Sequence, residues 1–194
     1  MSQDVRIDKR IIKTKNSLKS ALVELLKTQK IEEISIVELT NLAKVNRKTF
    51  YLHYNEVSSV FKEIENNTFE KAKHYVFNHE LSSEEIEDFF YGLFKIFVED
   101  EFVLPLLKET QYAKTFTIMI EKILMEYGNK QYEKLNNTNV SQVFQYTIAY
   151  HVFGSVRLFY TWLKNSQCLD IKSFSKFLAT LIIKGSKGNF ENLQ

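Results

Sequence analysis

The side chains richest in chemistry crowd into one short stretch. Asn46, Arg47, Lys48, Thr49, Tyr51, His53 and Tyr54 bring a guanidinium, an ammonium, an imidazole, a carboxamide and three hydroxyls. A guanidinium can grip a guanine edge with two parallel hydrogen bonds, a threonine can touch the thymine methyl, and tyrosine hydroxyls can reach phosphate oxygens. The plain alternative for the exposed members is a solvated helix face, and for Phe50 and Tyr54 it is core packing. Enzymatic chemistry finds less support. The chain has no G-x-S-x-G, H-E-x-x-H, P-loop or dinucleotide fingerprint. Its one cysteine, Cys168, has no sequence context for activation, and His74 and His79 are spaced poorly for sharing a metal on one helix face. The acidic pairs Glu84-Glu85 and Glu87-Asp88 read as a solvated face. No enzyme, no metal site and no cofactor are expected.

Charge separates the chain into unlike parts. Residues 1 to 54 carry 11 Lys and Arg against 6 Asp and Glu, whereas residues 55 to 194 carry 15 against 18. Arg6, Arg10 and Arg47, three of the four arginines, fall in the first part. A basic module on a mildly acidic body suits a nucleic-acid-binding head, because Lys and Arg neutralise phosphate. With 44% hydrophobic residues, 16 Phe and 10 Tyr, the chain has ample material for a core. One proline and five glycines leave too little punctuation for a many-stranded sandwich, so helices are expected. Low cysteine use, no secretory h-region and no long uninterrupted apolar run point to a cytoplasmic protein without a membrane span.

Apolar spacing sets the expected elements. Ile11, Leu18, Ala21, Leu22, Leu25 and Leu26 recur at three- and four-residue steps, predicting an amphipathic helix from Asp8 to Lys30. Ser35 and Glu38 form an S-x-x-E capping box that opens a second helix at Ile36. Lys44-Val45-Asn46 interrupts it, and Asn46 is a suitable N-cap for a third, short helix, RKTFYLHY. A long helix from Glu56 to Asn78 follows, then one opened by Ser83 and Glu84 and reaching Glu99, a short helix about Pro105, and one from Tyr112 to Gly128 that resumes through Leu135. NNTN at 136 to 139 reads as a loop. Val140 to Lys164 forms a helix that is apolar nearly all round, so it packs on several sides. The last helix ends near Gly185. The sum is an all-α chain of about nine helices.

The run ISIVELTNLAKVNRKTFYLHY, preceded by KTKNSLKSALVELLK and followed by a long connecting helix, resembles the TetR family of bacterial transcription regulators. The likeness is specific over residues 8 to 64 and weaker in the body, where GSVRLFYTW at Gly154 to Trp162 and the terminal helix pair carry it. Three departures stand out. Lys44 occupies a position where the family usually has a turn glycine, Lys48 one where a small residue is common, and Asn55-Glu56-Val57 replaces the usual start of the fourth helix.

The resemblance implies a helix-turn-helix DNA-binding domain at residues 1 to 55 and a helical effector-binding and dimerisation domain at 56 to 194. The first half of a recognition helix meets base edges in the major groove, and the flanking parts touch phosphate. Arg47, Lys48 and Thr49 are thereby expected on bases. Lys13, Thr14, Lys15, Ser35, Tyr51 and Tyr54 are expected on phosphate, with Lys44, Asn46 and His53 completing the DNA face. Phe94, Phe97, Phe116, Met119, Tyr146 and Tyr150 are candidates to line a pocket for a small apolar or aromatic effector, with plain core as the alternative. Gly154, Leu158, Trp162, Phe174, Phe177 and Leu181 are candidates for a homodimer surface, Gly154 permitting close backbone approach. The expected function is a dimeric repressor that binds a palindromic operator and is released by its effector. A DNA-binding or protein-interaction factor without an effector is the alternative, and an all-helical enzyme or lipid carrier is the third class.

Overall fold

A computed structural model describes residues 2–79, 85–108, 110–136, 140–165 and 169–190. These residues form nine α-helices and one 3-10 turn, with no strand among them. The order is α1 (Ser2–Leu25), the 3-10 turn (Ile31–Glu33), α2 (Ile36–Ala43), α3 (Arg47–Tyr51), α4 (Val57–Phe77), α5 (Ile86–Val98), α6 (Val103–Lys108), α7 (Thr110–Asn136), α8 (Gln142–Lys164) and α9 (Ile171–Phe190).

The small helices form where their caps dictate. Ser35 Oγ accepts the Glu38 amide at 3.1 Å and starts α2, while Asn46 Oδ1 accepts the Lys48 amide at 2.8 Å and starts α3. The Glu38 carboxylate does not complete a reciprocal cap, because it accepts Gln29 Nε2 at 2.6 Å and ties α2 to the end of α1. Between α2 and α3, Lys44 takes the left-handed conformation at φ 54°, and the Val45 amide bonds back to the Thr40 carbonyl at 2.9 Å. That turn is the one glycine normally fills, and here a lysine fills it. Leu18, Leu22, Leu26, Leu39 and Phe50 are buried together beneath the three helices.

Helix α4 carries this head onto the body. Val57, Val60, Ile64, Thr68, Ala72 and Val76 recur at three- and four-residue steps and are all buried. Aromatic stacking organises the body core, where Phe94 lies 4.1 Å from Phe159 with the rings nearly parallel, and Trp162 stacks on Phe174 at 5.1 Å. Pro105 falls in the first turn of α6, where its missing amide is not needed, and Asp100 Oδ1 accepts the Phe102 amide at 3.0 Å to cap the entry.

Several boundaries depart from expectation. The first helix ends at Leu25 rather than Lys30, since the Lys27 and Thr28 amides bond three residues back, in turns. Ser83 and Glu84 lie outside the described residues, and α5 starts at Ile86. Neither Gly128 nor Gly185 stops its helix: α7 continues to Asn136 and α9 to Phe190. Gly128 is a packing notch instead. A Cβ there would land 1.5 Å from Ile148 Cδ1, so the missing side chain lets α7 and α8 close on each other.

This notch generates a prediction. Gly128→Ala should lower stability by about 1 kcal/mol, because overpacking outweighs the gain in helix propensity. Adding Ile148→Val, which removes the clashing methyl, should recover part of that loss in a double-mutant cycle read by urea denaturation.

Candidate nucleic-acid interface

Three short elements bring the polar residues of the head to one face. Lys13 on α1, Ser35 before α2, Lys44 and Asn46 in the turn, and Arg47, Lys48 and Tyr51 on α3 are exposed, while Thr14, Thr49 and His53 are partly exposed. A shallow open depression runs between α1 and α3, lined by Arg10, Thr14, Lys44, Asn46, Thr49 and His53 over a floor of Ile11 and Val45. Five of the residues expected on DNA therefore share one concave surface. Arg10 also lines it and was not among those expected. Its signal was available, because Arg10 and Thr14 are four apart and hence on one face of α1. Leu52 is 78% exposed just past α3, an apolar residue on the same helical face region that charge-based reading passes over.

Two expected phosphate ligands are engaged elsewhere. Tyr54 is buried, with its ring 5.8 Å from Phe50 and the Lys15 ammonium 5.4 Å from its centroid. Lys15 Nζ lies 2.8 Å from Glu63 Oε2 on α4, and Lys19 Nζ lies 2.8 Å from Glu63 Oε1. Tyr54 follows Phe50 by four residues, so the face that buries one buries the other. Both residues pack at the junction of α1 with α4.

The junction has an unusual electrostatic balance. Burial opposes ionisation of Glu63, but hydrogen bonds from Lys15 and Lys19 and the Lys19 charge overcome it and hold the carboxyl down at about 2. Burial raises the Tyr54 hydroxyl above its ordinary range, and the Glu63 charge adds to the effect, so Tyr54 stays protonated. Lys19 is itself buried, and its ammonium also sits 5.7 Å from the Phe102 ring, which extends the contact toward α6.

The arrangement has clear structural relatives. A TetR transcriptional regulator from Streptococcus agalactiae 2603V is 21% identical, with a TM-score of 0.58 and coverage of 93% of this chain and 99% of its own. A TetR-like regulator from Rhodococcus sp. RHA1 is 16% identical at a TM-score of 0.63, covering 91% of this chain and 97% of its own. The fold is that of the TetR regulators. The regulator FadR from Bacillus subtilis, solved in complex with stearoyl-CoA, also shares the TetR fold at 16% identity and a TM-score of 0.56, covering 87% of this chain and 97% of its own. No protein-family model and no curated protein sequence matches the chain.

In the body of this TetR fold, a cavity of about 280 Å³ opens between α5, α7, α8 and α9. Its walls include Phe89 and Phe90 from α5, Leu124 and Tyr127 from α7, Phe144, Ile148 and Val152 from α8, and Ile182 from α9, with Gln131, Thr147, His151 and Ser155 as polar groups. None of the six residues expected at an effector pocket lines it. Phe94 and Phe97 are fully buried in the aromatic core, Phe116 and Met119 are buried as well, and Tyr146 and Tyr150 are 66% and 74% exposed. For Tyr146 and Tyr150 the cause is the phase of α8. Its cavity-facing positions alternate with an outer stripe, and an apolar circumference conceals which is which.

That outer stripe consists of Val143, Tyr146, Tyr150 and Phe153, each at least half exposed, with Gly154 beside them and no atom near the position of its absent Cβ. Phe177 and Leu181 on α9 are also exposed. The expected dimer residues divide accordingly. Gly154, Phe177 and Leu181 are at the surface, Leu158 and Trp162 are partly buried, and Phe174 is buried in its own core under Trp162. Trp162 Nε1 is held by the Leu169 carbonyl at 2.8 Å. Among the described residues, no three His, Cys, Asp or Glu gather to hold a metal, and no helix is long and apolar enough to cross a membrane.

The α1–α4 junction yields a pH prediction. Glu63→Gln should cost about 1–3 kcal/mol at neutral pH, the loss of charge-assisted hydrogen bonds with Lys19 left buried. Because the folded pKa of Glu63 is depressed from 4.5 to about 2, its contribution is complete above 4.5 and is lost as pH falls toward 2. Denaturation midpoints of the parent and the variant should therefore converge over that interval.

Proposed function

We propose that the chain is a sequence-specific DNA-binding transcription regulator that works as a homodimer on a palindromic operator and represses until a small-molecule effector releases it. The observation that carries this reading is the α2–turn–α3 unit, capped at Ser35 and Asn46, with Arg47, Lys48 and Tyr51 exposed at the start and along the outer side of α3. The DNA-binding part corresponds to residues 1 to 55, and the effector-binding and pairing part to residues 56 to 194.

Arg47, Lys48 and Thr49 read base edges in the major groove, Arg47 in bidentate fashion on guanine. Lys13, Thr14, Ser35, Lys44 and Tyr51 position the head on phosphate, with Arg10, Asn46 and His53 at the depression beside them. Lys44 serves twice in this reading. It makes the turn at some conformational cost and adds a cation where a glycine would add none.

The second copy pairs through α8 and α9. Support comes from the outer stripe, where four large apolar residues on α8 stand at three- and four-residue spacing beside the exposed Phe177 and Leu181. A lone molecule seldom leaves so continuous an apolar surface in water. Gly154 lies in the stripe with open space over it, as close approach of a partner backbone requires. The effector enters through the body cavity, and the stearoyl-CoA held by the Bacillus subtilis regulator is an example of a small molecule bound by this fold.

Two experiments test the reading. Arg47→Ala should weaken binding to the inverted repeat upstream of the protein's own gene by about 1–3 kcal/mol at fixed salt and relax the preference at the contacted base pair. Unchanged binding in a gel-shift assay would remove α3 from the DNA face. Gly154→Trp should shift the protein from dimer to monomer in sedimentation velocity while leaving its helical circular dichroism intact, since no atom of the described residues occupies that space.

A further inference from the structure

The cavity between α5, α7, α8 and α9 has walls that narrow what it can hold. None of the described residues that line it is Lys, Arg, Asp or Glu. An ionised ligand would leave water for a surface without a counter-charge, which is the costly form of burial. His151 does not supply that charge either, because burial lowers its pKa and keeps the ring neutral at physiological pH. The polar groups cluster instead of ringing the cavity: Thr147, His151 and Ser155 succeed one another on α8 at four-residue steps, with Gln131 from α7. Thr147 Oγ1 already donates to the Val143 carbonyl at 3.0 Å, so toward the cavity it is an acceptor.

Size adds a second limit. A dry cavity of roughly 150 Å³ suffices for benzene, and pockets for drug-sized ligands start near about 300 Å³. At about 280 Å³ this space fits a bicyclic molecule. The space opens to solvent on one side, so its volume bounds the part of a ligand that the walls cover, and a charged group would have to stay outside them.

We propose that this cavity binds an uncharged, mainly apolar molecule of one or two rings that carries a hydroxyl or amide hydrogen-bond donor, met by the polar row on α8. The inference deepens the effector half of the proposed function and rests on it for its biological meaning. Val152 and Ser155 lie one helical turn or less apart on the wall, so a larger residue at either fills the space.

The test uses the full chain and isothermal titration calorimetry at about pH 7.5, where 2-naphthol is neutral and 2-naphthoate is ionised. The expected result is saturable 2-naphthol binding at one site per chain, with 2-naphthoate weaker by about tenfold or more. Val152→Phe should abolish 2-naphthol binding. Thr147→Val, which keeps the shape and removes the acceptor, should weaken it severalfold and covers the case in which Val152→Phe fails to fold. Failure of 2-naphthol to bind, equal or tighter binding of 2-naphthoate, or unchanged affinity in a folded Val152→Phe variant overturns the assignment. A gel shift separates this from the wider reading. If 2-naphthol binds but DNA affinity does not change, the ligand class stands and the effector role falls. If the DNA contacts of Arg47 hold while 2-naphthol does not bind, the ligand class alone falls.

Discussion

Glu63 is the point at which the head and the rest of the molecule are held in one geometry. Its two carboxylate oxygens are divided between Lys15 and Lys19, both on α1, while Glu63 itself is on α4. Tyr54, the residue that closes the stretch after α3, packs into the same place. Three segments thus meet at one anion. Partial burial makes such an arrangement costly unless every charge has a partner, and the two ammonium groups supply that compensation. The cost has a structural return. An apolar contact tolerates sliding, whereas a carboxylate shared between two lysines one turn apart is satisfied only over a narrow range of helix crossing. The angle at which α4 presents α3 is set there.

The head was readable in the sequence because its signals are local. A capping serine, a capping asparagine and a three-to-four apolar repeat are each decided within a few residues, and α2 and α3 begin where those residues place them. The sequence was silent where a residue has both a local and a distant use. Lys15 looks like a phosphate ligand until α4 brings Glu63 to it from 48 positions away. Tyr54 carried a warning in its spacing from Phe50, but its hydroxyl suggested phosphate. The left-handed turn at Lys44 shows the reverse case, in which the break in apolar spacing before Asn46 located a turn that a lysine by itself does not signal.

The body was legible in number and order of helices but not in phase. Gly128 read as an interruption and Gly185 as a stop because glycine weakens a helix, yet both helices run through. Gly128 is fixed by the Ile148 methyl against it, a contact between helices that no window of sequence contains. The same limit hid the cavity. Aromatic excess announced a pocket or a core, and Phe94, Phe97, Phe116 and Phe159 were consumed by the core, leaving the cavity to Phe89, Phe90, Phe144 and Tyr127 at the end of the body where α4 finishes.

Helix α8 then explains why a mostly apolar circumference is useful and not merely hydrophobic. On one side Thr147, Ile148, His151, Val152 and Ser155 face the cavity, and on the other Tyr146, Tyr150, Phe153 and Gly154 face outward. The two sides interleave along the same turns, so a displacement of the helix by anything in the cavity is a displacement of the outer stripe as well. Tyr127 gives the cavity a second outlet: it lines the wall, its hydroxyl donates to the His79 carbonyl at 2.7 Å, and its ring meets Phe77 edge-on at the end of α4. Cavity, outer stripe and α4 are thus joined through packed side chains. Under the proposed reading this makes coupling reciprocal by thermodynamic necessity: a ligand that favours one pairing of two copies is itself bound more tightly by that pairing. The spacing of two recognition helices would then be controlled from the far end of the body, through α8 to the second copy and through α4 to the Glu63 junction.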